Sequence, residues 1–189
     1  MKKGLFIAVE GMDGSGSTTQ CKKLVAYLSE KKQQTFFTHE PSALETGLLL
    51  RKYLDSQRND QKIVSHAFLG LLFAADRIFH YQNEILPKLE QGIWVVSDRY
   101  VLSSLVYQGM DLELEWLRSL NCKAPAADLT IIVDADDHVA AERRHLRRGK
   151  VEIFDDLASQ SIIRRRYLEL AHLVEAKVID GNGEEDAVF

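Results

Sequence analysis

The stretch Val9-Glu10-Gly11-Met12-Asp13-Gly14-Ser15-Gly16-Ser17-Thr18-Thr19-Gln20 constrains this chain more than any other. Before it runs Leu5-Phe6-Ile7-Ala8-Val9, with the length and apolar composition of a buried parallel strand. After it, Leu24, Val25 and Leu28 recur at helical spacing, which predicts a helix from Thr18 to about Lys31. Strand, Gly-rich loop and helix follow in the order of a phosphate-binding loop. The pattern G-x-x-x-x-G-K-[ST] fits at Gly11, Gly16 and Thr18, but Ser17 stands where the lysine belongs. Such a loop wraps backbone N–H groups around a polyphosphate and sets it at a helix N-terminus, where the dipole favours negative charge.

At 189 residues and 46% hydrophobic, the chain has enough apolar surface for one sizeable core, so residues 1–189 are expected to form a single domain. A net charge of −4 argues against a general nucleic-acid binder, whose affinity rests on a basic surface. Positive charge is instead local, at Arg143, Arg144, Arg147, Arg148, Arg164 and Arg165. Cys21 and Cys122 are too few for a disulfide framework. No secretory h-region precedes the first strand, and no apolar run approaches the roughly 18 residues of a membrane span. A soluble, cytoplasmic protein with no membrane partner is expected.

Four more strand candidates alternate with helical segments. They are Thr35–Thr38, Ile93–Val96, Leu129–Val133 and Lys177–Asp180, and the second and third of these run into Asp98 and Asp134. Helices are predicted over residues 43–56, 62–90, 101–109, 113–121, 136–148 and 156–176. Alternation of this kind predicts an α/β fold, a five-stranded parallel sheet with helices on both faces. Ligands of such sheets bind beyond the carboxyl ends of the strands. The residues that follow each strand should therefore converge. They are Asp13 and its loop, His39-Glu40-Pro41, and Ser97-Asp98-Arg99-Tyr100 followed by Ser103, Ser104, Tyr107 and Gln108. On the 62–90 segment, Phe73 and Arg77 lie one turn apart on one face, a ring and a guanidinium suited to a planar base. Each alone has a plainer reading, Phe73 as core and Asp76–Arg77 as a solvated pair.

Taken together, these motifs resemble thymidylate kinase, a P-loop nucleoside monophosphate kinase family. The resemblance runs through E-G-x-D-G-x-G-x-T-T-Q at 10–20, Glu-Pro at 40–41, F-A-x-D-R at 73–77, D-R-Y-x-x-S-x-x-x-Y-Q at 98–108, a basic helix and lid near 141–155, and V-I-D at 178–180. It implies transfer of the ATP γ-phosphoryl group to dTMP with Mg²⁺, in a homodimer built beside the 62–90 segment. It also implies roles for particular residues. The loop from Gly11 through Met12, Asp13, Gly14, Ser15, Gly16, Ser17 and Thr18 to Thr19 resembles the ATP phosphate cradle. Arg144 resembles an arginine stacked on adenine. Thr18 and Asp98 resemble the Mg²⁺ ligands. On the acceptor side, Glu40 and Pro41 fall within a dTMP-binding motif. Phe73 resembles a ring stacked on thymine, Arg77 a donor to its O4, and Ser104 a side chain facing N3. Arg99 resembles the clamp on the dTMP phosphate, Asp13 an acceptor from the ribose 3′-OH, and Tyr107, beside Gln108, a ring packed under C2′.

The chain departs from the pattern in places. Ser17 removes a charged contact to the β- and γ-phosphates. Arg143, Arg147 and Arg148, near the lid at 147–155, are the expected replacements, with Arg147 and Arg148 the expected catalytic cations. The lid has Ile153 where an arginine would be expected, and His39 stands where many bacterial relatives carry arginine. The closing helix after V-I-D is expected to be short or missing. Two other readings share these residues. A kinase for another pyrimidine monophosphate such as dUMP would use the same base edge. A pseudokinase would bind nucleotides without turnover, although a drifting site need not keep Thr18, Asp98 and Arg99 together.

Overall fold

The computed structural model describes residues 3–58, 64–147 and 157–189. Five strands, β1 (Phe6–Glu10), β2 (Thr35–His39), β3 (Trp94–Asp98), β4 (Leu129–Asp134) and β5 (Lys177–Asp180), form one sheet in the order β2-β3-β1-β4-β5. Every pairing is parallel. The sheet confirms the α/β reading with a P-loop NTPase-type arrangement.

Alternation along β1 explains why both faces are covered. Phe6 and Ala8 point to one side, where Ile85, Leu89, Val95 and Tyr100 bury them. Ile7 and Val9 point to the other, against Cys21, Leu24 and Val25 of α1 (Ser17–Glu30). A strand buried on both faces is expected to be apolar, as β1 is from Phe6 to Val9. Its last residue, Glu10, is fully buried and polar, and it turns toward the site.

The remaining helices are α2 (Glu45–Arg58), α3 (His66–His80), α4 (Leu86–Glu90), α5 (Val101–Tyr107), α6 (Leu114–Asn121), α7 (Asp137–Arg147), α8 (Leu157–Leu170) and α9 (Glu185–Val188). The expected helix over 62–90 starts later, at His66, where the Ser65 side chain accepts from the Phe68 N–H at 3.2 Å. Between α3 and α4 the chain makes a π-helical turn, Tyr81–Ile85. Pro87 follows at once; it has no N–H to give, and the widened turn carries the helix past it. The expected 101–109 and 156–176 helices each finish in a 3₁₀ turn, at Gln108–Met110 and Ala171–Val174. The closing helix is short, as expected, and only α9 follows β5.

Chain order reverses about β1, which sits between β3 and β4. This is the switch point at which open α/β sheets bind ligands beyond their strand ends. Segments leaving β1, β2 and β3 meet there.

Candidate active site

The loop after β1 turns tightly, with the Ser15 N–H on the Met12 carbonyl at 3.0 Å. Gly14 and Gly16 have φ of 86° and 101°, left-handed values that glycine adopts without a Cβ clash. A Cβ on Gly14 would also strike the Ala140 carbonyl of α7 and lie 3.0 Å from Arg144 Cγ. The loop is therefore pressed against α7 where it lacks side chains.

Where α1 begins, Ser17 Oγ donates to Asp98 Oδ1 at 3.0 Å, and Thr18 Oγ1 donates to Asp98 Oδ2. Asp98 ends β3, pairs in register with Val9 of β1, and is 8% exposed. Ser17 thus spends its hydroxyl on the carboxylate and brings no charge. The next residue, Arg99, has φ of 72°, a conformation that side-chain-bearing residues rarely take and that recurs at functional positions. The turn aims its guanidinium back over the loop. Nη2 lies 2.9 Å from Asp13 Oδ1, Nη1 donates to Tyr167 Oη at 3.0 Å and Ser103 Oγ at 3.1 Å, and the Tyr107 ring lies 5.1 Å from the guanidinium carbon. Burial pushes the Tyr107 and Tyr167 phenols up, so both remain neutral hydroxyls. Ser103 Oγ in turn donates to Glu10 Oε2 at 2.5 Å. Burial raises the pKa of Glu10 too, against the opposing hydrogen bond from Ser103 and the charge of Arg99.

A second buried network lies behind Glu40, which a cis peptide bond joins to Pro41. Glu40 Oε2 pairs with Arg77 Nη2 at 2.8 Å and Oε1 faces His80 Nδ1 at 3.3 Å. Arg77 is 1% exposed and also donates to Asn121 Oδ1, to Ser104 Oγ at 2.9 Å and to the Tyr100 carbonyl at 3.1 Å. Its Nε is buried with no hydrogen-bond partner among the described residues. Arg77 and Ser104, expected at the base, are thus brought together. The plainer reading of Asp76–Arg77 as a solvated pair is overturned, because both are buried and face different partners. Asp76 accepts from the Ser42 N–H at 2.8 Å, Ser42 Oγ at 2.6 Å and Thr46 Oγ1 at 2.7 Å, which fixes the segment after Pro41. Phe73, one turn before Arg77, is half-buried and outside the three clusters of packed apolar residues. Gln108, in the 3₁₀ turn, leaves Oε1 buried with no partner among the described residues.

Two cavities flank the loop. One is bounded by Gly14, Gly16, Thr18, Pro41, Asp98 and Arg99, and also by Arg51 and Arg144. The other is bounded by Thr19, Arg143, Leu146, Gly181, Gly183 and Val188. Arg143, one of the expected phosphate cations, borders this second cavity. Its guanidinium is held by three carbonyls, Ser15 at 3.1 Å, Gly181 at 2.7 Å and Gly183 at 2.8 Å. Arg144, expected on adenine, borders the first cavity. The Arg147 side chain, Arg148 and nearly all of the expected lid at 147–155 lie outside the described residues. Sequence reasoning missed Arg51 of α2, which donates to the Pro41 carbonyl and, at 2.7 Å, to the Ser42 carbonyl. Its one signal was a charge directly after the apolar run Leu48-Leu49-Leu50. Tyr167 and Asn121 were missed as well.

Comparison with known proteins agrees with this geometry. The family model for thymidylate kinase matches residues 9–189. The chain belongs to the thymidylate kinase family. A probable thymidylate kinase of Pyrococcus abyssi is 39% identical over 190 residues, covering 98% of this chain and 92% of that protein. One from Pyrococcus horikoshii is 40% identical over 174 residues, covering 90% and 84%. A thymidylate kinase of Carboxydothermus hydrogenoformans is 34% identical over 197 residues, covering 99% and 94%. The family therefore spans the loop, the Glu40 network and the Arg99 cluster together.

Proposed function

We propose that this enzyme transfers the γ-phosphoryl group of ATP to dTMP, giving ADP and dTDP. One observation carries the reading. A single cavity is bounded on one side by the loop and Thr18 and on the other by Arg99, Arg51 and Pro41. Donor and acceptor phosphates would thus meet in one space, and in-line transfer needs little beyond such positioning and electrostatic support.

In this reading the loop amides receive the ATP phosphates at the N-terminus of α1. Arg99, held by Asp13 and two tyrosines, clamps the dTMP phosphate with its planar fork. Phe73 offers its half-exposed ring to thymine, and Arg77, whose buried Nε has no hydrogen-bond partner among the described residues, would donate to its O4. Arg143 and Thr19 border the cavity open to the adenosine. Thr18 and Asp98 would hold Mg²⁺. Their adjacent hydroxyl and carboxylate fit an ion that takes one or two protein ligands and completes its shell from phosphates and water. When bound, Mg²⁺ neutralises charge on the β- and γ-oxygens.

The enzyme would work as a homodimer in the cytoplasm. Leu48 of α2 and Leu71 of α3 are 57% and 51% exposed, with Phe68 close by, an apolar face suited to a second copy. Both cysteines are free thiols, and no described helix is long and apolar enough to cross a membrane.

An ADP-release assay with dTMP, dUMP and dGMP, with and without Mg²⁺, tests the reading. Turnover should require Mg²⁺ and favour dTMP. Equal rates with dUMP would favour the broader pyrimidine kinase, and nucleotide binding without ADP release would favour the pseudokinase.

A further inference from the structure

We infer that Arg144 supplies the phosphate-neutralising cation that Ser17 cannot; this rests on the kinase reading above. Among the described residues, three arginines border the phosphate cavity, namely Arg51, Arg99 and Arg144. Arg51 is turned to the carbonyls of Pro41 and Ser42, and Arg99 is paired with Asp13, so both belong to the acceptor side. Arg144 comes from α7, which packs against the phosphate loop at Gly14. Its stem crosses Gly14, where an added Cβ would lie 3.0 Å from Arg144 Cγ. Nη1 donates to the Asp13 carbonyl of the loop at 2.6 Å and to Gln160 Oε1 at 3.2 Å, and Gln160 of α8 is fully buried. The bare glycine, the loop carbonyl and the buried amide together fix a guanidinium beside the bed where the ATP phosphates would lie. Its neighbour Arg143 is tied to three carbonyls and borders the other cavity.

The chemistry needs a cation at this position. An oxygen of the dTMP phosphate bonds to the γ-phosphorus, and the bond from that phosphorus to the β,γ-bridging oxygen breaks. The electron pair stays on the bridging oxygen, so negative charge grows on the departing ADP. A fixed positive charge stabilises this, and the lysine at position 17 of the usual loop would do the same work. Two cations serving one phosphate group are less than additive, so the two positions should be coupled.

The test uses the full chain as Arg144→Gln, Ser17→Lys and the double variant. Arg144→Gln should lower kcat about ten- to hundred-fold, the effect of one lost charged contact. With Ser17→Lys in place, the same change should cost less than about three-fold, as expected when a second cation covers the loss. A second readout is direct binding of inorganic tripolyphosphate by calorimetry. It should weaken in Arg144→Gln and recover in the double variant. Arg144→Gln with unchanged kcat and unchanged tripolyphosphate binding would overturn the inference. So would a loss that Ser17→Lys fails to recover, which is the result for a purely structural side chain. If Arg144 serves adenine instead, tripolyphosphate binding will not move while ATP binding weakens. If the wild-type chain binds tripolyphosphate but fails to phosphorylate dTMP, the kinase reading falls, and the binding series still decides the role of Arg144.

Discussion

Arg99 reaches across the cavity to Asp13, its Nη2 2.9 Å from the carboxylate Oδ1, and joins the end of β3 to the loop after β1. The pair is partly shielded, the two side chains being 20% and 33% exposed. Arg99→Ala should raise the dTMP KM and lower kcat, with kcat/KM for dTMP falling about ten- to hundred-fold for a lost charged contact. ATP affinity measured by calorimetry should stay nearly constant. Equal weakening of both nucleotides would mean that Arg99 holds the loop and does not serve the acceptor.

Phe73 supports a different outcome because it stands apart from the packed clusters. Phe73→Ala should weaken dTMP binding by about 1–3 kcal/mol, the range of a base–aromatic stack. Its melting temperature should fall far less than for a truncated core phenylalanine, which costs about 3–5 kcal/mol of stability. A large drop in melting temperature with normal dTMP affinity would make Phe73 a core residue.

His80 gives the fold a pH dependence. The imidazole is fully buried, 3.3 Å from Glu40 and 2.9 Å from Glu84. Burial pulls its pKa down, but the hydrogen bond and charge of Glu40, then Glu84, outweigh this and raise it. A raised folded pKa means that the protonated ring stabilises the native state. That stabilisation is complete below the unfolded value of about 6.5 and is lost as pH rises through the folded value. Melting temperature should therefore fall between pH 6 and pH 9, and His80→Gln should flatten the fall. Glu10 acts with the same sign, because burial raises its pKa and its ionised form is disfavoured. An unchanged slope in His80→Gln would place the titration elsewhere.

The five strands and the phosphate loop were legible because buried parallel strands carry unbroken apolar runs. Their ends were less so. β1, β2, β3 and β4 each reach the polar residue that follows the apolar run, namely Glu10, His39, Asp98 and Asp134. Ladder hydrogen bonds outlast the hydrophobic pattern there, as where the Glu40 N–H meets the Asp98 carbonyl at 3.0 Å. The π-helical turn before Pro87 left no trace in periodicity. Arg143 and Arg144 could not be told apart, since adjacent helical residues point about 100° apart and only the packing of α7 on Gly14 decides which cavity each borders. Tyr167 acts through a contact distant in sequence, for which spacing has no signature. Tyr167 meets Arg99 from 68 positions away.

The grip of Arg143 on the Ser15, Gly181 and Gly183 carbonyls bears on the order in which the molecule is completed. The phosphate loop is near the N-terminus, but part of what steadies it lies beyond β5. Gln20 of α1 likewise donates to the Glu185 carbonyl at 3.0 Å. Contacts of such long sequence separation close late, after their loop entropy has been met. A growing chain would therefore have Asp13, Arg99 and the Glu40 network in place while the donor cavity still lacked a wall. Competence toward the acceptor would come first, and competence toward ATP only when the segment after β5 had docked.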